Sequence, residues 1–281
     1  MWHADRMPTK EDPIIAAGHN FREIKLNSSR GTLAALTRTG NGDPIVVVHG
    51  VLADAVAWKR VVEHVAPDRP ALIVNRRGRT PSVGLDENYS VEVEVDDLLH
   101  WLGTLDVPVD LIGHSFGGLI ACEAVRRGAR VRSLVLYEPV MRPFGPELIE
   151  PLTTAIESGD LELAVEIVNV DLSGYSRADV AAMRSGPAWK RLCELAEPAA
   201  AELRAIDHFD FTAPELSNVP TTMIAGELSR HRPPYGPNVD AYLDALAFDS
   251  VEILDGEDHI AHVTAPVELA HVIETAVTST A

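Results

Sequence analysis

Val109-Asp110-Leu111-Ile112-Gly113-His114-Ser115-Phe116-Gly117-Gly118 is the stretch on which the reading of this chain turns. An apolar, strand-like run stops at a Gly-x-Ser-x-Gly pattern, and residues 119–127, which lack Gly and Pro, then read as a helix. A strand that reverses into a helix so quickly forces the corner residue, Ser115, toward a strained backbone. Glycines two before and two after it remove Cβ atoms that would collide. The Ser115 hydroxyl is thereby presented at a helix N-terminus, where unpaired N–H groups and the helix dipole favour negative charge. Acyl transfer needs that arrangement, because the attacking oxygen and the oxyanion it creates must sit side by side. The bland alternative is a tight glycine turn that carries an inert serine.

On the N-terminal side, residues 45–48 (Ile-Val-Val-Val) form a continuous β-branched run of the kind buried on both faces of a parallel sheet. Before them, residues 21–26 and 32–37 read as two strands joined by Asn27-Ser28-Ser29-Arg30-Gly31, which is hairpin chemistry. After them come a helix near 56–65, a strand at 71–74, the loop Arg76-Arg77-Gly78-Arg79-Thr80-Pro81-Ser82, and a helix near 90–105 with Ser90 as its expected N-cap. On the C-terminal side, residues 131–137 are a strand closed by Glu138-Pro139, and the next strand is 221–225. Residues 140–215 between them are too long for a crossover. Breaks near Gly159, Gly174 and Gly186-Pro187 divide them into four expected helices, a cap. A helix, a strand at 251–254 and a helix at 266–278 complete an α/β, mostly parallel sheet flanked by helices. Residues 1–20 read as an N-terminal arm, 21–139 and 216–281 as the core, and 140–215 as the cap.

Among the 281 residues, 42 are acidic and 24 basic, a net charge of −18 that repels nucleic acid and anionic membrane. The two cysteines, Cys122 and Cys193, are too few for a disulfide framework or a thiolate metal site. No apolar run reaches the length of a membrane span, and the N-terminus lacks the blocks of a secretory signal, so a cytoplasmic location is expected. The expected partner is a small-molecule substrate, and neither a metal nor an organic cofactor is expected.

Unrelated stretches now fall at the C-terminal ends of parallel strands, the rim where open α/β sheets hold ligands. His49-Gly50-Val51 follows residues 45–48 and would turn the Val51 N–H toward Ser115; the Phe116 N–H would be a second oxyanion donor. His49 itself is read as a structural hydrogen-bonding residue. Asp255-Gly256-Glu257-Asp258-His259 follows the last strand and delivers His259, which as a neutral imidazole could take the serine proton and return it to the leaving group. His262 is the competing base. His114 is expected to pack beneath the corner.

The pieces His49-Gly50, Arg77-Gly78, Gly113-His114-Ser115-Phe116-Gly117 and Gly256-x-x-His259, with the insert after Tyr137-Glu138, resemble the α/β-hydrolase fold in both kind and order. The resemblance covers nearly everything from residue 21 onward. It implies an eight-stranded sheet with antiparallel first strands, a mobile helical cap after the sixth strand, and a Ser/acid/His triad. One departure stands out. Most members hold the acid in a Gly-x-x-Asp pattern after the strand that here ends at Ala225, but this chain reads Gly226-Glu227-Leu228-Ser229. A serine cannot hold the imidazole with a full charge. Glu138 is the expected acid, because some relatives, including certain haloalkane dehalogenases and cofactor-free dioxygenases, look to hold theirs at that strand end. Glu227 is the second candidate.

These residues imply a serine hydrolase acting on an ester, thioester or lactone of a small to medium hydrophobic substrate. Met141, Phe144, Tyr175, Trp189 and Phe209 are candidate wall residues or, equally, cap core. The loop arginines are read as an ordinary turn ahead of an anion-binding role. Serine at the corner argues against epoxide hydrolysis and dehalogenation, for which the family uses aspartate. Two rivals remain open: a cofactor-independent lyase, carbon–carbon hydrolase or dioxygenase that uses His259 as base, and a non-catalytic ligand-binding relative. The residues leave the oligomeric state undetermined.

Overall fold

A computed structural model describes residues 21–216 and 219–278. The expected N-terminal arm, residues 1–20, lies outside the described residues.

Eight strands form one sheet in the order β1-β2-β4-β3-β5-β6-β7-β8: β1 Arg22–Ser28, β2 Gly31–Arg38, β3 Ile45–Val48, β4 Ala71–Asn75, β5 Val109–His114, β6 Val131–Tyr137, β7 Thr221–Gly226 and β8 Ser250–Leu254. β1 pairs with β2 and β2 with β4 in antiparallel fashion; every later pairing is parallel. The apolar runs are explained by burial on both faces. In β3, Val46 and Val48 enter one core while Ile45 and Val47 enter the other, and in β6 Leu134 and Leu136 oppose Val135 and Tyr137. Such strands carry no polar face because neither face meets water.

Helices α2 (Val91–Leu102), α3 (Phe116–Arg126) and α9 (Tyr235–Ala245) cover one face; α1 (Lys59–His64) and α11 (Pro266–Thr278) cover the other. A short helix, α10 (Ala261–Thr264), precedes α11. Ser90 occupies the N-cap of α2 in extended conformation, but its side chain makes no capping hydrogen bond. The first-turn Glu94 instead turns inward toward Arg76 and the Tyr89 hydroxyl.

Among the described residues between β6 and β7 the chain forms five α-helices rather than the expected four: α4 Ile149–Glu157, α5 Leu161–Glu166, α6 Arg177–Arg184, α7 Trp189–Ala196 and α8 Ala199–His208. The expected breaks at Gly159, Gly174 and Gly186-Pro187 are present, and Pro198 adds another by standing at the N-cap of α8. A π-helical turn, Ile167–Leu172, continues α5. Among the described residues, no helix is long and apolar enough to cross a membrane.

Candidate active site

β5 ends in the middle of the sheet, and Ser115 is the hinge between it and α3 at φ 54°, ψ −122°, a conformation that side chains rarely adopt. The neighbouring glycines make it possible. A Cβ on Gly117 would lie 2.1 Å from the Val48 carbonyl oxygen, and one on Gly50 would lie 2.7 Å from the Ser115 Cβ. The Gly50–Val51 peptide therefore abuts the serine. Among the described residues, the N–H groups of Val51 and Phe116 donate no hydrogen bond.

His259 arrives on the loop after β8, and β6 grips that loop with its last two groups. The Tyr137 hydroxyl donates to the Asp258 carbonyl and accepts from the Ala261 N–H at 3.1 Å. The next residue, Glu138, at φ 40°, places its carboxylate Oε2 2.7 Å from His259 Nδ1. The other carboxylate oxygen accepts from the Gly226 N–H at 2.7 Å and from the Ser229 hydroxyl. Glu138 is fully buried, and Ser115 and His259 are 4% and 6% exposed, so the groups are sheltered from water. Nδ1 faces the carboxylate, so Nε2 is the ring nitrogen outside that bond, and in a neutral imidazole that donates from Nδ1 it carries the lone pair. Among the described residues, neither the Ser115 hydroxyl nor His259 Nε2 has a hydrogen-bond partner. The serine-to-imidazole bond is thus unmade here.

The remaining candidates separate cleanly. Glu227 is exposed and accepts from the Gly256 N–H at 2.8 Å, away from the imidazole. His262 stacks on Trp58 with ring centroids 5.3 Å apart, and burial pushes its pKa down to about 3. His114 lies beneath the corner and donates from Nε2 to the His259 carbonyl at 3.0 Å; burial drives its pKa well below the usual imidazole range. His49 bonds the Gly50 carbonyl through Nδ1 at 2.9 Å and is likewise kept neutral by burial. The loop arginines are fully buried in ion pairs: Arg77 with Asp97 at 2.7 and 2.9 Å, Arg79 with Glu202 at 2.6 and 2.9 Å, and Arg76 with Glu94 and Glu202.

Of the candidate wall residues, Phe144 packs near Tyr235, their ring centroids 6.4 Å apart, and Tyr175 lies under the Arg232 guanidinium at 5.6 Å. Met141 is half-buried, and its N–H donates to Asn238 Oδ1 at 2.6 Å. Trp189 belongs to the insertion's own interior, bonded to Glu162 and covered by Arg184. Phe209 lines a surface cavity of about 410 Å³ between residues 86–92 and α8, which includes neither Ser115 nor His259.

Three residues contribute in ways that the sequence does not assign to them. Tyr235 stacks on His259 with ring centroids 3.6 Å apart, and its hydroxyl meets Ser173 of the insertion at 2.8 Å. Tyr137 anchors the histidine loop, and Ser229 steadies Glu138. Of these the sequence marks only Ser229, the serine that stands where the resemblance expects an aspartate; its bond to Glu138 is the structure's addition.

A family model described as "Alpha/beta hydrolase family" matches residues 45–272. The chain belongs to that family. This α/β hydrolase is 28% identical over 184 residues to the (E)-2-((N-methylformamido)methylene)succinate hydrolase of Acinetobacter baylyi, covering 54% of this chain and 68% of that one. It is 29% identical over 120 residues to lipase LipV of Mycobacterium tuberculosis, covering 41% and 44%, so it spans less than half of the lipase's length in that match. Among solved structures, an alpha/beta hydrolase from Sphaerobacter thermophilus superposes with a TM-score of 0.74 at 23% identity, over 90% of this chain and all of that one. A thermophilic esterase from Thermogutta terrifontis gives 0.70 at 20% identity, over 92% and 99%. At those identities the structural likeness speaks to fold alone.

Proposed function

We propose that this α/β hydrolase is a serine hydrolase cleaving an ester, thioester or lactone with a small to medium hydrophobic part. The observation that carries the reading is the buried Glu138–His259 bond at the rim beside a strained Ser115. Ser115 Oγ forms a bond to the carbonyl carbon as its proton passes to His259 Nε2, and the carbonyl π electrons move onto oxygen. The Val51 and Phe116 N–H groups receive that oxyanion. The oxyanion then reforms the carbonyl, the bond to the leaving oxygen or sulfur breaks, and Nε2 returns the proton to the leaving group. Water repeats the sequence on the acyl-enzyme, and Glu138 holds the imidazole and balances its charge throughout. The Tyr235 ring stacked on the base, with Phe144 beside that ring, suits a hydrophobic acyl or alcohol part. The succinate-derivative hydrolase and the lipase among its relatives lend support to hydrolysis as the reaction class.

The test is labelling with a fluorophosphonate followed by a screen of short and medium acyl esters, lactones and acyl-thioesters. Adduct at Ser115 in folded protein is expected, and Ser115→Ala should lose both label and turnover. Folded wild-type protein that takes no label would sink the reading.

A further inference from the structure

A buried guanidinium is costly unless its surroundings use it, and Arg76, about 2% exposed, is among the most deeply buried charges in the molecule. Its contacts converge on the two proposed oxyanion donors. Nη2 donates to the Gly50 carbonyl at 3.3 Å. That carbonyl and the Val51 N–H belong to one planar trans peptide and point in opposite directions, so fixing one fixes the other. The same carbonyl accepts from His49 Nδ1, while the Arg76 N–H donates to His49 Nε2 at 3.4 Å, closing a ring of three bonds around the peptide that abuts Ser115. Donation to the carbonyl also polarises the amide and strengthens its N–H as a donor. The guanidinium carbon lies 4.7 Å from the ring centroid of Phe116, whose N–H is the second donor. Glu202, fully buried on α8, holds Arg76 and Arg79 together from the insertion's side.

We infer that Arg76 is a positioning residue for both oxyanion donors and that Glu202 anchors it from the helical insertion, so that oxyanion geometry depends on how α8 is seated. This inference rests on the acyl-transfer reading above.

The test compares wild type, Arg76→Met and Glu202→Gln with p-nitrophenyl butyrate as substrate, an alkyl trifluoromethyl ketone as a tetrahedral mimic, and a fluorophosphonate. Arg76→Met should lower kcat roughly 10- to 100-fold with KM changed less than about threefold, and weaken the ketone by the same factor as kcat. Phosphonylation of Ser115 should slow in parallel. Glu202→Gln keeps the guanidinium but loosens its anchor, and should move the same quantities by roughly three- to tenfold. It carries the test alone if Arg76→Met fails to fold. Folded variants with kcat, ketone affinity and labelling rate all within about twofold of wild type would overturn the inference, as would a rise in KM alone. Wild type that takes no label breaks the acyl-transfer reading instead, which keeps the two failures apart.

Discussion

Two adjacent strand ends, those of β6 and β7, reach toward the same imidazole from neighbouring positions in the sheet. β6 is followed at once by Glu138, whose carboxylate meets His259 Nδ1 directly; β7 runs on to Gly226-Glu227-Leu228-Ser229, whose serine hydroxyl meets the carboxylate instead. The resemblance read from the sequence would put the acid on the second of these ends, where Ser229 stands. Because parallel strands one ladder apart place their C-terminal ends at nearly the same height, a carboxylate can arrive from either, provided the vacated position becomes a donor to it. The comparison teaches that a carboxylate oxygen can reach the imidazole from the β6 end while the β7 end supplies only a hydroxyl that bonds the carboxylate.

The largest effect should come from removing that charge. Glu138→Gln keeps the size of the side chain, but the amide can present its N–H₂ to Nδ1 and favour the wrong tautomer. The loss expected is on the order of 10⁴-fold in kcat, by analogy with the acid of other serine triads. Steady-state kinetics on an active ester, with a thermal melt to verify folding, measures it. A loss of less than tenfold would move the acid elsewhere and dissolve the comparison.

Next in size is an exchange of the two side chains. Glu138→Ser alone should be as damaged as Glu138→Gln, and combining it with Ser229→Asp should recover roughly 10- to 100-fold of kcat by restoring a charge-assisted bond to the imidazole from the β7 end. Absence of recovery in a folded double variant would mean that the two strand ends are not interchangeable. A smaller effect is expected for Ser229→Ala. It leaves the carboxylate in place with the Gly226 N–H on the same oxygen at 2.7 Å, but removes a hydrogen bond to a buried charge. Such a bond is worth about 1.5–3 kcal/mol. Most of that should appear as a lowered melting temperature and the rest as a fall of about tenfold or less in kcat.

The inner strands were legible because they are buried on both faces, and runs such as Ile45–Val48 leave no competing period. The corner at Ser115 was legible for a similar reason: Gly117 has no room for a Cβ, and that need shows in the sequence. Five helices where four were expected reflect a local ambiguity, since Pro198 can either start a helix or break one. Tyr235 and Arg76 were illegible for another reason. Each contacts a partner remote in the chain, His259 or Glu202, and a lone tyrosine after two prolines or one of three arginines in a turn carries no periodicity to announce that contact.

The smallest effect belongs to the carboxylate that sequence position made the rival. Glu227 lies only two residues from Ser229 in the chain, yet it is exposed, and its Oε2 is engaged 2.8 Å from the Gly256 N–H, where it helps close the turn after β8. Its backbone N–H is bonded to the Leu254 carbonyl, which holds the residue on the outer side of that turn. Glu227→Gln preserves an acceptor for Gly256 while deleting the charge, so kcat should stay within about twofold of wild type and stability should change by no more than about 0.5 kcal/mol. The contrast with Glu138→Gln is sharpest when both variants are measured side by side on one substrate. Were Glu227→Gln the crippled enzyme and Glu138→Gln the active one, the loop after β7 would have to swing its glutamate inward on substrate binding, and the bond between Glu138 and His259 would be a resting arrangement rather than the working one.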